Sequence, residues 1–547
     1  MPAMHTLPHP TCSEFEPGLS LGRAWESSLL GAPARTALIF EEQSWTYRAL
    51  GLAASDAAQT LEARGVRHCE RVMLMMDNGP GFLAMVLGCQ LLGAIAVPVS
   101  PKSAVERITY LAQDSAACVI VVDAAMNLRT RALHAEQAYG ERMLDWAARQ
   151  ATSLRAPCAQ ANTDCAFIQY TSGSTGAAKG VMVSHAAALA NIDAFCATLQ
   201  LRADDVFCSL LPLFHDMGLV CFGLAPLFKG CPLVLHRQES LSLYGWLESV
   251  AHYRATLSGA PDSLLQIANR VVEDPAAYDL SSLRALICGS EPVRHDTLRQ
   301  FGERFGVTHA LKPAYGMAEL TLCATLTSPA DAYRVSPTGD VASGTAIGGV
   351  RVWIRGPQGQ LVQTADTVGE IVIESPARMQ GYWSQAAATN EALDSAGRVN
   401  TGDVGYLDED GYLYVVGRQK NLLIRGGEKY SPHEIETAAQ TLPAVRRAGV
   451  VQLQGGRHPI VAVLEVERTL LREPARLGEL AGRLRQLAHQ RAGIGPDCCW
   501  FVSGGTIPLT ENGKMQHGAL RQRIADGSLQ ALWADHPLEH DDAATTV

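Results

Sequence analysis

From Thr46 onward the chain changes between two periodicities. Leu50, Ala53, Ala57 and Leu61 recur at helical spacing behind a Thr46 cap, and Gly65 ends the run. Val72-Met-Leu-Met is then a continuous apolar run of strand length. A helix is predicted through Leu92, followed by the strand Ile95-Ala-Val-Pro-Val. Cys118-Val-Ile-Val-Val, Phe167-Ile-Gln-Tyr, Leu233-Val-Leu and Leu283-Arg-Ala-Leu-Ile-Cys repeat the theme as short apolar runs bounded by turns and separated by helical stretches. Strands that are apolar at successive positions are buried on both faces, so the pattern predicts βα units layered around parallel sheets.

The texture changes after about Pro337. Glycines become dense, helices vanish, and Arg351-Val-Trp-Ile and Glu370-Ile-Val-Ile-Glu alternate as strands do, which predicts a small β subdomain over about 337–415. A second change comes at Gly417-Arg-Gln-Lys. Beyond it lie strands near Ala448-Gly-Val-Val and Ile460-Val-Ala-Val-Leu, and a helix with Leu477, Leu480, Leu484 and Leu487 on one face. The expected class is α/β. A large N-terminal domain (1–419) is followed by a small C-terminal α/β domain (420–530) and a flexible acidic tail (531–547).

Composition narrows the class of function. At about one to two hundred residues per domain, a chain of 547 allows two to four. With 47% hydrophobic and 18% charged residues it is not a disordered chain. A net charge of −10 argues against sequence-independent nucleic-acid binding, which rests on Lys and Arg. The fourteen cysteines form no CxxC frame, which predicts reduced thiols and a cytoplasmic protein. Met1-Pro-Ala-Met-His carries no secretory pattern. Phe82–Val99, the most apolar stretch, is broken by Gln90 and ends in Val-Pro-Val-Ser-Pro, so it reads as a buried helix and strand, not as a membrane span.

The most informative segment is Gln169-Tyr-Thr-Ser-Gly-Ser-Thr-Gly-Ala-Ala-Lys-Gly-Val, which follows an apolar strand. Its glycines let backbone approach a phosphate, its hydroxyls supply donors, and Lys179 supplies charge. It departs from a Walker loop, because Lys179 is preceded by Ala178 and followed by Gly180. In order and spacing the segment resembles the signature of the adenylate-forming superfamily, which includes acyl-CoA synthetases, luciferases, peptide-synthetase adenylation domains and fatty acyl-AMP ligases. Further motifs extend the resemblance from Ser44-Trp-Thr-Tyr to Gly513-Lys514.

The resemblance implies roles for individual residues. Thr171, Ser172, Gly173, Ser174, Thr175, Gly176 and Lys179 would hold the ATP phosphates. Gly289, Ser290, Glu291 and Pro292, in Ile287-Cys-Gly-Ser-Glu-Pro-Val, would meet adenine. In Ala314-Tyr-Gly-Met-Ala-Glu, Tyr315, Gly316, Met317 and Ala318 would line the nucleotide, and Glu319 would bind Mg2+, as carboxylate oxygen suits a hard cation. Asp403, in Asn400-Thr-Gly-Asp, would take the ribose hydroxyls, with Arg418 assisting. Lys420 falls at the family's hinge, about which the C-terminal domain is mobile. Lys514, in Ile507-Pro-Leu-Thr-Glu-Asn-Gly-Lys, is the catalytic lysine, and His215, in Leu211-Pro-Leu-Phe-His-Asp-Met-Gly, sits beside the acyl carboxylate.

The implied reaction forms an acyl-adenylate from ATP and an acid, then passes the acyl group to a thiol. His215-Asp-Met-Gly-Leu and Tyr253-Arg-Ala-Thr-Leu-Ser-Gly-Ala-Pro-Asp resemble the fatty acyl-AMP ligase branch, whose acceptor is the phosphopantetheine arm of an acyl carrier protein. Arg476, Arg483 and Arg485 are candidates for its docking patch. Arg425-Gly-Gly-Glu-Lys-Tyr-Ser-Pro is closer to coenzyme-A ligases, and 322–350 is short for the segment that fatty acyl-AMP ligases insert, so coenzyme A is the alternative acceptor. A non-catalytic nucleotide-binding relative is the alternative of another class. Phe214, Met217, Gly259 and Cys288 are the expected acyl-pocket residues, with Gly218 and Gly259 leaving room for a chain.

Overall fold

The computed structural model describes residues 14–123, 140–171, 178–237, 243–426, 428–453, 458–509 and 515–536. Two large sheets dominate. The first runs, in spatial order, Gly381–Tyr382, Lys179–Ser184, Cys165–Thr171, Ile95–Pro98, Arg71–Met75, Val119–Val122, Met143–Asp145. Its last five strands are parallel. The second runs Thr345–Ala346, Cys323–Leu326, Leu311–Gly316, Ala285–Cys288, Leu257–Ala260, Phe207–Ser209, Leu233–Leu235, Thr36–Phe40, Gln43–Thr46, parallel except at its edges.

Both faces of the first sheet are covered, as its apolar strands require. Val72, Leu74, Val119 and Val121 join the core shared with the second sheet. Met73, Met75, Ile120 and Val122 point the other way, onto Ile108 and Leu111 of helix Val105–Asp114. The shared core is filled by helices Tyr47–Ala63 and Pro80–Leu92, the latter buried at every position from Phe82. The predicted signals operate at their ends. Thr46 Oγ1 accepts from the Ala49 amide at 3.1 Å, and Gly93 closes the second helix at φ +81°.

Residues 351–418 hold a five-stranded antiparallel sheet in the order Leu361–Val362, Arg351–Arg355, Gly369–Glu374, Val399–Leu407, Leu413–Arg418. Helices do not vanish here: Ala386–Ala392 is helical. Alanine has the highest helix propensity, which suits Ala-Ala-Ala-Thr-Asn-Glu-Ala to this form, and Thr389 fastens it by accepting from the Tyr382 amide at 2.9 Å.

A separate core follows. Leu423, Ile435, Leu464, Leu477, Leu484 and Phe501 pack together under a sheet ordered Val445–Gln452, Ile460–Val466, Cys498–Ser503, Trp533–Ala534. The described clusters of the preceding part end at Val415. Helix Pro474–Ala492 buries Leu477, Leu480 and Leu484, as its periodicity predicts. The tail does not become loose at 531. Trp533–Ala534 pairs with Phe501 and Trp500, and the Asp535 carboxylate accepts from the Cys499 amide at 2.8 Å and from Arg485. These backbone bonds and that ion pair hold the segment down. Residues 537–547 lie outside the described residues. No helix of the described residues is long and apolar enough to cross a membrane.

Helix Pro432–Gln440 is tied to helix His517–Ala525 by a buried ion pair, His517 Nε2 to Glu436 Oε1 at 2.7 Å. The Val450 amide donates to the same oxygen at 3.0 Å. Burial alone would raise the Glu436 carboxyl, but His517 and His433 outweigh it and hold it well below its ordinary 4.5. Burial alone would lower His517, and Glu436 raises it above its ordinary 6.5. The Glu436 contribution is present above pH 4.5 and lost as pH falls through its depressed value. That of His517 is present below pH 6.5 and lost as pH rises through its raised value. Thermal unfolding should therefore show the second core most stable between these limits. Glu436→Gln should cost about 3 kcal/mol there and flatten the alkaline decline, as breaking one side of a buried pair does.

Candidate active site

A cleft of about 2660 Å³ opens where the two cores face each other. The N-terminal part brings to it the loops after parallel strands Ala285–Cys288 and Leu311–Gly316, the edge where α/β sheets bind ligands. The far wall carries Ser431, Glu436, Leu509, Met515 and His517. Every described residue expected to bind ATP lines this cleft: Thr171, Lys179, Gly289, Ser290, Glu291, Pro292, Tyr315, Gly316, Met317, Ala318, Asp403 and Arg418, together with Glu319, His215 and Lys420. Ser172, Gly173, Ser174, Thr175 and Gly176 lie outside the described residues, and so does Lys514. Leu509 and Met515, which flank residues 510–514, both line the cleft and bridge to one another.

Asp403 and Arg418 are cross-strand partners in the five-stranded sheet. Arg418 Nε is 2.8 Å from Asp403 Oδ1, and the Tyr315 hydroxyl donates to Asp403 Oδ2 at 2.6 Å. The Asp403 amide donates to Thr401 Oγ1 at 3.0 Å, and Thr401 donates to the Ile371 carbonyl at 2.7 Å. Burial and the Asp403 charge both push the Tyr315 phenol up, so it stays a donor. A carboxylate held this way presents acceptor sites suited to a diol.

Glu319 is buried one turn beyond Tyr315. The turn is tight. A Cβ on Gly316 would lie 1.7 Å from the Leu322 carbonyl oxygen, and Thr321 sits at φ +66°, a conformation that β-branched residues avoid. Glu319 Oε1 accepts from the Tyr382 hydroxyl at 2.7 Å. Burial raises the Glu319 carboxyl, with the Tyr382 hydrogen bond and the Arg418 charge pulling against it. Among the described residues no group of three His, Cys, Asp or Glu could hold a metal by itself. One hard carboxylate fits a cation that brings phosphate oxygens and water as its other ligands. Lys179 Nζ lies 4.8 Å from the centre of the Tyr382 ring.

Of the residues expected at adenine, Gly289 is closely packed, its Cβ position lying 3.0 Å from the Ala314 carbonyl oxygen. Ser290 takes φ +68° and donates to the Met217 sulfur at 3.5 Å. Glu291 accepts from the Ser263 amide.

His215 ends a turn whose amide donates to the Pro212 carbonyl at 3.1 Å. Gln169 Nε2 braces the turn on the Phe214 carbonyl at 2.6 Å. Asp216 caps the π-helix Met217–Leu224, accepting from the Met217 amide at 2.8 Å. Phe214 and Met217 line the cleft as expected, but two expected pocket residues do not. Gly259 is covered, because its Cβ position lies 2.5 Å from the Phe222 ring and 3.0 Å from the Met217 methyl, and Cys288 is fully buried in the sheet. Gly218 leaves no room for a chain either, since its Cβ would sit 2.0 Å from the Pro212 carbonyl oxygen. Phe195, Cys221, Leu322 and Cys323 are apolar residues that line the cleft without having been expected there. These come from one helix, the π-helix, and the start of one strand with the residue before it, so no local motif signals them. Tyr382, in Gly-Tyr-Trp, also escaped the sequence reading. Its only signal is an aromatic beside glycine at the end of a β segment.

Lys420 lies exposed in the link between the cores, its carbonyl accepting from Arg521 at 3.4 Å. Of the three arginines proposed for docking, Arg485 is turned inward onto Asp535 and the Pro496 carbonyl, and Arg476 pairs with Glu473 at 3.0 Å.

The profile of the AMP-binding enzyme family matches residues 25–383. The chain belongs to that family. Among its relatives is a medium-chain-fatty-acid–[acyl-carrier-protein] ligase, JamA, of Moorena producens, 30% identical over 89% of this chain and 91% of that protein. A feruloyl-CoA synthase of Amycolatopsis sp is 32% identical over 90% and 96%. A solved structure from a study of fatty acyl-adenylate ligases from E. coli and L. pneumophila is 26% identical, with a TM-score of 0.83 over 96% of this chain and 100% of that one.

For an AMP-binding enzyme with this geometry, Asp403→Ala should weaken AMP binding at least about tenfold by calorimetry, as loss of a charge-assisted hydrogen bond does. Thermal unfolding of the unliganded variant separates this effect from loss of the fold.

Proposed function

We propose that this AMP-binding enzyme activates a carboxylic acid, a fatty acid in its physiological reaction, to acyl-AMP and transfers it to the phosphopantetheine thiol of an acyl carrier protein. One observation carries the reading. The turn bearing Phe214, His215 and Met217 lines the same cleft as Tyr315, Glu319, Asp403 and Arg418, so an acid end and a nucleotide end would adjoin there. The relatives above, one acting with a carrier protein, support the acceptor. Reduced cytoplasm, where ATP and thiol acceptors reside, is the proposed compartment; none of the described cysteines is in a disulfide.

In the first half-reaction the acid carboxylate attacks the α-phosphorus of ATP and pyrophosphate leaves. Both reactants are anions, so the site must align them and offset charge. Thr171, Lys179 and the loop between them would hold the departing phosphates, Asp403 the ribose and His215 the acid. Glu319 would hold Mg2+, which when bound neutralises phosphate charge. Lys514 would sit where charge builds in the transition state. In the second half-reaction a thiol attacks the acyl carbon and AMP leaves. The second core would turn about Lys420 between the two, exchanging Lys514 for the face bearing Arg425.

Lys514→Ala should lose acid-dependent pyrophosphate release while still consuming supplied acyl-adenylate. Equal loss of both halves overturns this division of labour. The feruloyl-CoA synthase likeness supports a second reading, coenzyme A as acceptor, and thioester formation with holo-carrier protein against coenzyme A decides between them.

Met217 lines the cleft, and its methyl and the Phe222 ring together cover Gly259, so shortening this side chain enlarges the cleft from one wall. Met217→Ala should shift preference toward longer acids, raising the kcat/KM ratio of a longer to a shorter acid by about tenfold for each methylene or two newly accommodated. A panel of acids of increasing length, read by pyrophosphate release, measures it.

A further inference from the structure

The proposal above leaves open what keeps the metal carboxylate and the phosphate lysine in register, because they stand on unrelated segments. Glu319 is on the turn after strand Leu311–Gly316 of the second sheet, and Lys179 begins an antiparallel strand of the first. Tyr382 touches both. Its hydroxyl donates to Glu319 Oε1 at 2.7 Å, and its ring centre is 4.8 Å from Lys179 Nζ.

Its own placement is over-determined. Gly381–Tyr382 pairs with the strand that Lys179 opens, Tyr382 opposite Val181 and Gly381 opposite Met182. The Trp383 amide donates to the Gly180 carbonyl at 2.7 Å, and the Met379 amide donates to the Glu319 carbonyl at 2.8 Å. Thr389 Oγ1 accepts the Tyr382 amide. The segment is therefore stitched to the Glu319 backbone and to the strand that Lys179 opens. With one Glu319 oxygen held by the hydroxyl, the rotation of the carboxylate that would meet a cation is fixed.

We infer that Tyr382 is a positioning residue for metal-bound ATP, its hydroxyl orienting Glu319 toward the cation and its ring seating Lys179 for the phosphates. This rests on the nucleotide reading proposed above.

The two arms separate by substitution. Tyr382→Phe keeps the ring and loses the hydroxyl, whereas Tyr382→Leu loses both. Binding of ATP to the full-length protein, measured by calorimetry with Mg2+ and with EDTA, reads each arm without turnover. For Tyr382→Phe, affinity with Mg2+ should fall about tenfold while affinity in EDTA stays within about twofold. Tyr382→Leu should in addition lose about threefold in EDTA, the scale of a cation–π contact. In steady state, the Mg2+ concentration for half-maximal pyrophosphate release should rise in Tyr382→Phe, while consumption of supplied acyl-adenylate holds. A purely packing role would lower the melting temperature and leave the Mg2+ dependence of ATP affinity unmoved, and that result in Tyr382→Phe overturns the inference alone. Failure of the wild-type protein to bind ATP with Mg2+ overturns it together with the functional reading.

Discussion

Acidic side chains gathered to meet a polyanion are a problem before any ligand arrives, and the cleft depends on how that is met. Asp403 and Glu319 are both buried, and buried carboxylates drift toward their neutral forms. Arg418 is the counter-charge they share. It pairs directly with Asp403 and pulls the Glu319 carboxyl down against burial, and its own charge is supported in turn by Asp403, Tyr315, Glu319 and Tyr382. Two phenols complete the arrangement as donors, Tyr315 to Asp403 and Tyr382 to Glu319. Each acidic residue thus has one hydroxyl and a share of one guanidinium, an economy possible only because four separate segments converge there.

That convergence depends on backbone that passes closer than side chains allow. Gly316 against Leu322 and Gly218 against Pro212 are approaches at which a methyl group would collide. Thr321 accepts an unfavourable φ to complete the turn below Glu319, held by its hydroxyl on the Ala377 carbonyl at 2.7 Å. Such strain persists where the surroundings impose it. Here the surroundings are two sheets whose shared core is buried, and each contributes residues to the cleft.

How far the sequence discloses this follows the range of the interactions involved. Parallel strands were legible because burial on both faces leaves an unbroken apolar run, as at Val72-Met-Leu-Met and Leu233-Val-Leu. The residues expected at the nucleotide stand on short contiguous loops with fixed spacing, and those described all line one cleft. The expected acyl-pocket glycines do not. Gly259 and Gly218 have the composition of an open pocket, yet Phe222 and the Pro212 carbonyl fill the space, and only packing across elements decides that. Tyr382 was missed for a related reason, since its partners lie 63 and 203 positions away in number and share no motif with it. Helix Ala386–Ala392 and strand Trp533–Ala534 are too short for periodicity to register, and each is held by a tertiary bond.

The position of the cleft between two cores has a consequence for chemistry in two halves. The hydrophobic clusters on either side share no described member, and the link at Gln419–Asn421 is exposed. A change in how the second core faces the first would therefore expose little buried apolar surface and break few internal bonds, the Arg521 to Lys420 carbonyl contact among them. His517 and Glu436, by contrast, lie wholly within the second core and would travel with it. Rigid bodies joined at a polar seam can present different faces to one bound intermediate, whereas a single continuous core over the same residues would have to unpack to do so.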